Sequence, residues 1–125
     1  MAGFMMIIIV TIMNTLPLPP QTYHVLLALG DRTLHGYGLI EAFEELTEGR
    51  ETLLPGSLYA TLARMVEEGL LVEVDPPADA TSGGPRRRYY RMTDFGRSAA
   101  LAESERRELL LRSARARRLA PEPPP

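Results

Sequence analysis

The chain has 125 residues, enough for one domain with a modest core and too few for a two-domain dinucleotide enzyme or a barrel. Its 45% hydrophobic and 24% charged residues exclude general disorder, and the absence of cysteine excludes disulfide frameworks, zinc–cysteine clusters and thiol catalysis while allowing a reducing cytoplasm. The net charge of −2 is unevenly laid out: residues 1–30 carry none, Asp31 to Asp75 carry −7, residues 76–91 carry +3 and the rest +2.

Phe4 to Met13 is a nearly unbroken apolar run. At about ten residues it falls well short of the ~20 that a membrane-spanning helix needs, and it lacks the basic leader and cleavage site of a secretory signal. Met13 offers a second translation start that would leave out residues 1–12; if present, those residues form an apolar arm packed on the body or on a partner chain. Pro17, Pro19 and Pro20 separate this run from a first helix over Gln21 to Leu29, with Tyr23, Val25, Leu26 and Leu29 as its apolar face and Gly30 as its C-cap. Asp31 to Leu34 reads as a connector. A second helix follows over Gly38 to Leu46, with Leu39, Ile40, Phe43 and Leu46 at helical spacing and Gly49 ending it.

Pro55 and Ser57 mark the start of a third helix, Pro pre-setting the backbone and Ser able to accept bonds from free amides. Leu58, Leu62, Met65 and Val66 form its buried stripe and Gly69 stops it. Leu70 to Val74 reads as a strand with Leu70, Val72 and Val74 on one face, and Pro76 to Pro85 as a turn-forming loop. The returning strand, Arg86 to Met92, sets Arg88, Tyr90 and Met92 against Arg87, Tyr89 and Arg91 on its two faces. Thr93 then caps a last helix running to about Leu119, which the Pro-rich tail cannot continue.

Three helices followed by a two-stranded hairpin give a mainly α fold with a small β-hairpin, a winged helix-turn-helix plus a long C-terminal helix. The expected layout is an N-terminal extension over 1–13, the winged domain over 14–93, a dimerisation helix over 94–120 and a tail over 121–125. A hairpin alone is marginal in water, so it must lean on the helices. A long last helix leaving so small a body cannot hide its apolar face alone, which argues for a dimer.

The most informative segment is Arg86-Arg87-Arg88-Tyr89-Tyr90-Arg91 after the Gly83-Gly84-Pro85 turn. Successive cations on a strand point to both sides of the ribbon, as contact along a nucleic-acid backbone requires, and arginine forks match phosphate. A charged edge that prevents strand aggregation is the competing explanation. On the third helix, Ser57, Ala60, Thr61 and Arg64 lie away from the buried stripe, with Tyr59 beside them. Ser57 and the helix N-terminus suit phosphate, while Thr61 and Arg64 reach toward base edges, Arg64 favouring guanine.

Other constellations read as structural. His24 and His35 are the only histidines, a helix-face and a helix-start residue, too few for a metal site; His35 as a phosphate donor has no further support in the sequence. Glu44, Glu45 and Glu48 form a solvated helix face. The Gly36-x-Gly38 pair is no dinucleotide site, because no strand is read before it and the chain leaves no room for that fold; it lets the second helix start tightly against the first, with Tyr37 offering a hydroxyl to phosphate. In the last helix Phe95, Ala99, Ala102, Leu109 and Leu110 form a stripe that fits a partner helix, and the Glu103–Glu108 stretch supplies ion pairs within or between helices. Arg112, Arg115, Arg117 and Arg118 form a basic, solvated end.

His35-Gly36-Tyr37-Gly38, Pro55-Gly56-Ser57-Leu58-Tyr59, Glu68-Gly69-Leu70-Leu71 and Arg88-Tyr89-Tyr90-Arg91-Met92-Thr93 with Gly96 resemble, in order and spacing across about residues 20–100, the PadR family of bacterial transcriptional regulators. The resemblance implies a winged-helix dimer, usually a repressor, that leaves DNA when a small molecule such as a phenolic acid or drug binds. The short C-terminal part resembles the branch with one dimerising helix. Two departures stand out: without tryptophan, a drug pocket of stacked indoles does not carry over, and the N-terminal apolar run has no counterpart.

The sequence therefore reads as a cytoplasmic, homodimeric, sequence-specific DNA-binding regulator, a ligand-responsive repressor and not an enzyme. Its partners would be a double-stranded operator, a second copy of itself and a small aromatic or drug-like effector, with no membrane, metal or cofactor. The DNA-binding residues would be Tyr37, Ser57, Tyr59, Thr61, Arg64, Arg86, Arg87 and Arg88, and the dimerising ones Phe95, Ala99, Ala102 and Leu109. The rivals are a winged-helix module that binds protein and a small-molecule-binding protein without DNA function.

Overall fold

The computed structural model describes residues 2–78 and 87–125, with positions 12 and 13 described for their backbone only. The elements run α1 (Ala2–Thr15), α2 (Pro20–Leu29), β1 (Leu34–His35), α3 (Gly36–Leu46), α4 (Pro55–Glu67), β2 (Leu71–Val74), β3 (Tyr89–Met92) and α5 (Asp94–Ala116). The expected fold class holds, with one strand added. Leu34–His35, read as part of a connector, pairs with β3 and completes a three-stranded antiparallel sheet in the order β1-β3-β2. The expected loop falls largely at residues 79–86, which lie outside the described residues together with the Gly83-Gly84-Pro85 turn and Arg86.

Local chemistry sets the helix limits. Prolines open α2 and α4, where the missing N–H has no intrahelical partner to lose and the fixed φ already suits the helix. Side chains open α3 and α5: His35 Nδ1 accepts the Gly38 N–H at 3.0 Å, and Thr93 Oγ1 accepts the Gly96 N–H at 2.9 Å. Thr93 Oγ1 also donates to Gly69 O at 2.5 Å, so this cap fastens α5 to the end of α4. Gly49 and Gly69, at φ 77° and 80°, take the left-handed turns that stop α3 and release α4 into the sheet.

The core gathers Val25, Leu26 and Leu29 of α2, Leu39 and Phe43 of α3, Leu58, Leu62 and Met65 of α4, Leu70, Leu71, Tyr90 and Ala99. Each fully buried leucine contributes roughly 1.5–3 kcal/mol relative to exposure, and truncating Phe43 to alanine would cost about 3–5 kcal/mol. Phe43 also stacks on His24 at 4.6 Å between ring centres, which gives that histidine its structural place. Burial, then the charge of Arg107, holds the His24 pKa below the usual value, against the pull of Glu51.

One buried charge joins α5 to the chain between α1 and α2. Glu103, fully buried, accepts from Arg106 Nη2 at 2.8 Å, from Arg107 Nε at 2.6 Å and from the Leu18 backbone N–H at 3.1 Å. The Arg107 guanidinium lies 4.2 Å from the centre of the Tyr23 ring, and the Tyr23 hydroxyl meets Ser104 Oγ at 2.6 Å. These bonds, led by Arg106, pull the Glu103 carboxyl down to about 2 against its burial.

The long stripe of α5 divides between these environments. Phe95 packs on the core and Ala99 is fully buried in it, so these two expected dimer contacts are instead made within the same chain. Ala102 is half-buried and Leu101 is exposed on the side of α5 turned away from the body, and Leu109, Leu110 and Leu111 are exposed further along the helix. α1 touches α5 while leaving Phe4, Met5, Met6, Ile7, Ile9 and Val10 exposed. Among the described residues no helix is long and apolar enough to cross a membrane.

Candidate nucleic-acid interface

The candidate surface is built from the starts of α3 and α4 and the root of the wing. Glycine at position 36 brings the two helices together: a Cβ there would lie 2.9 Å from the Tyr59 hydroxyl oxygen and 3.1 Å from two ring carbons. This glycine therefore serves the contact between α3 and α4, where the sequence points to the packing of the second helix on the first. Gly38 shows no such need, its hypothetical Cβ meeting His35 and Leu34 at ordinary distances of 3.5 Å and more.

From Gly36 the surface continues into the sheet. His35 and Tyr89 are direct partners in the β1–β3 ladder, and their rings meet edge-on at 5.2 Å. Arg87, two residues before Tyr89, places Nη1 2.9 Å from His35 Nε2. A contiguous path thus runs from Tyr59 on α4, over Gly36 and His35, to Arg87 on the wing. Tyr37 stands beside it, exposed, its ring nearly parallel to His35 at 6.5 Å.

The predicted contact residues fall into three groups. Tyr37, Ser57, Tyr59, Arg64, Arg87 and Arg88 are all exposed. Tyr37, Tyr59 and Arg87 lie on or beside this path, while Ser57, bonded to Gln21, and Arg64, paired with Glu68, lie elsewhere on α4. Tyr59, whose rival role was a half-buried packing residue, is 61% exposed and leans on Gly36 only through the far end of its ring. Ser57 is not the cap of α4: the N-cap is Leu54, without a side-chain bond, and the Ser57 hydroxyl exchanges hydrogen bonds with the Gln21 amide at 3.2 and 3.4 Å.

Thr61 belongs to a second group. Only 5% exposed, it accepts a bond from Gln21 Nε2 at 2.9 Å. Buried in the α2–α4 contact, its side chain is off the surface where a base edge would be read, which corrects its expected role. Arg86 forms the third group, lying outside the described residues.

Two of the predicted contact cations, Arg64 and Arg88, are loosely held. Arg64 Nε is 3.9 Å from Glu68 and Arg88 Nε is 3.8 Å from Glu73, both pairs well exposed. Exposed pairs of this kind are worth about 0–1 kcal/mol, so either guanidinium can exchange its carboxylate for a phosphate or a base edge at little expense. Gln21 is a site residue that the sequence did not single out, and His35, read there as a phosphate donor without support, gains a neighbour in Arg87. The signal for His35 is its place one residue before a helix start, where an acceptor side chain is favoured. Among the described residues, no three of His, Cys, Asp or Glu gather as a metal site.

The chain matches the family model for the "Transcriptional regulator PadR-like family" over residues 25–102. It is 40% identical over 83 residues to the transcriptional regulator Rv3488 of Mycobacterium tuberculosis, across 66% of this chain and 70% of that protein. Among solved structures it is similar to a PadR family transcription regulator from Clostridium difficile R20291, with a TM-score of 0.63 and 20% identity over 78% of this chain and 97% of that one. It is also similar to Bacillus subtilis PadR, solved in complex with operator DNA, with a TM-score of 0.56 and 19% identity over 87% of this chain and 52% of that one. At those identities the likeness to the solved structures is one of fold.

Proposed function

The chain belongs to the PadR-like family of transcriptional regulators, and from that premise we propose that it acts as a homodimer that binds double-stranded operator DNA and represses transcription. In this reading α4 enters the major groove, and the wing that carries Arg86, Arg87 and Arg88 follows the adjacent backbone or minor groove. The observation that carries it is the run of contacts from exposed Tyr59, over buried Gly36 and half-buried His35, to exposed Arg87, which sets helix α4 beside the wing. Arg64 is the candidate for base reading, with guanine as its preferred partner. Tyr37, Ser57, Tyr59, Arg87 and Arg88 hold the backbone.

The dimer rests on apolar surface that a single chain leaves in water. Leu101, Leu109, Leu110 and Leu111 on α5, with Ala102 beside them, are the candidates for contact with a second α5, and the exposed side chains of α1 add to the unburied area. A two-fold dimer would present two α4 helices about one DNA turn apart. A small aromatic or drug-like effector lodged between subunits would alter that separation, shifting the equilibrium by its differential affinity for the two arrangements.

Selection of duplex fragments from genomic DNA around the gene tests the proposal. Recovery of a short, two-fold symmetric site bound by the dimer is the expected outcome. A protein partner bound with no salt dependence and no DNA retained would favour the protein-interaction module instead, and tight effector binding that leaves every duplex unaffected would favour a small-molecule-binding protein.

A further inference from the structure

Two hydrogen-bond donors converge at the root of the wing. His35 Nδ1 is occupied as an acceptor, taking the Gly38 N–H at 3.0 Å as the cap of α3. A neutral imidazole has one bare nitrogen, so this bond leaves the proton on Nε2. Nε2 in turn faces Arg87 Nη1 at 2.9 Å, and a guanidinium nitrogen only donates. Two N–H groups at that separation cannot satisfy each other. The other tautomer would accept from Arg87, but it would set an Nδ1–H against the Gly38 N–H and undo the cap. A protonated ring carries the same Nε2–H.

The ring is also held in place. Tyr89 meets it edge-on, Tyr37 lies nearly parallel to it, and the β1–β3 ladder fixes its backbone. Partial burial, followed by the Arg87 charge, favours the neutral form and keeps the His35 pKa below the usual value, against the opposing pull of Glu41. What the pair lacks is an acceptor within reach of both donors. A negatively charged oxygen with more than one lone pair fits, and it must be approached from solvent, because the contact is exposed.

We propose that His35 Nε2–H and the Arg87 guanidinium together bind one backbone phosphate of the DNA duplex. This rests on the DNA-binding reading above and adds to it a residue, His35, and a shared phosphate. A duplex is favoured over a free anion because the pair lies on the same surface as Tyr59 of α4, joined through Gly36, so that a helix seated in the groove brings backbone to it. A neutral donor and a single cation would hold a free phosphate ion only weakly.

The test uses the full chain and a duplex recovered by the genomic selection. His35→Asn retains a side-chain oxygen able to cap α3 while removing the Nε2 donor. This variant and Arg87→Gln are each expected to weaken duplex binding about tenfold. The double variant should lose little more than the larger single loss, since both groups serve one phosphate. Arg87→Gln should lower the salt slope by about 0.9 and His35→Asn should leave it unchanged.

Replacing individual phosphates with neutral methylphosphonate provides an arm that requires no variant. One position per half-site should weaken wild-type binding and leave the double variant insensitive. Full affinity in His35→Asn, or losses that multiply in the double variant, would overturn the shared phosphate while leaving DNA binding intact. Failure of the wild type to bind any duplex would overturn both. Inorganic phosphate alone is expected to leave the His35 ring resonances unmoved at millimolar concentration; tight saturation, with duplex binding indifferent to both variants, would transfer the site to a free anion.

Discussion

Gly36 and Tyr59 are in contact across α3 and α4, close enough that the smallest side chain at position 36 would collide with the phenol. Because the colliding atoms are the far end of an exposed side chain, the ring can swing aside. Gly36→Ala should therefore cost about 1 kcal/mol of stability at most, while moving Tyr59 off the surface and weakening duplex binding. Gly96 makes the opposite prediction. Its hypothetical Cβ would press into the Leu70 backbone carbonyl, itself held by the Thr93 N–H at 3.1 Å, so Gly96→Ala should cost about 3 kcal/mol or more. Thermal melts alongside duplex titrations separate the two; equal destabilisation by both would contradict this packing.

Glu103 predicts an acid limb. Its folded-state carboxyl lies at about 2, below the ordinary 4.5, so its contribution is complete above pH 4.5 and fades as the pH falls toward 2. Glu103→Gln should flatten stability over that window and cost about 2 kcal/mol at pH 7. This is less than the 3–5 kcal/mol typical of breaking a fully buried pair, because Arg106 and Arg107 remain 37% and 38% exposed. Denaturant unfolding of the variant and wild type between pH 2 and 7 would show it, and parallel curves would refute it.

Thr61 and Arg64 lie one turn apart on α4 and should behave differently. Thr61→Ala removes the bond from Gln21 and should lower stability by about 1 kcal/mol without changing which sites are preferred. Arg64→Ala should leave stability nearly unchanged, since its pair with Glu68 is exposed, and relax discrimination by about 1–3 kcal/mol at one base pair. Affinities for a panel of single-base operator variants provide the readout; a uniform loss with Arg64→Ala would make it a backbone contact.

The dimer surface is tested on the part of α5 that the body leaves uncovered. Leu109→Glu combined with Leu110→Glu should shift the protein toward monomer in sedimentation while its helix content is kept, because both side chains are exposed in the single chain. Ala99→Glu, in contrast, should unfold the domain, since Ala99 is buried in its own core. An unchanged sedimentation profile for the leucine variant would remove α5 as the interface.

The sequence showed more of the fold than of the surface. Prolines 20 and 55, the cap at Thr93 and the glycines after α3 and α4 act locally, so their effect is readable from neighbours in the chain. β1 was not readable, because two residues carry no periodicity and their strand character exists only in the pairing with Tyr89 and Tyr90. Thr61 was misplaced for a related reason. At about 100° per residue it sits only about 40° from Met65 on the helix, at the margin of the buried stripe. The approach of Gln21 from α2 then decides its burial. Likewise Phe95 and Ala99 fit a stripe that a partner or the chain's own body could cover, and only the tertiary packing of α5 on α2 chooses. His35 reads locally as a helix-start residue, and its second nitrogen acquires meaning only when the wing brings Arg87 to it.

If α4 and the arginine wing form one surface for a polyanion, the affinity for a duplex must depend steeply on salt. Wild type should show a steep linear fall of log affinity with log salt, and Arg86→Ala, Arg87→Ala and Arg88→Ala together should reduce that slope by about 0.9 for each phosphate that is no longer neutralised. An association that ignores salt, or a triple variant with the wild-type slope, would show that the wing does not grip the duplex backbone.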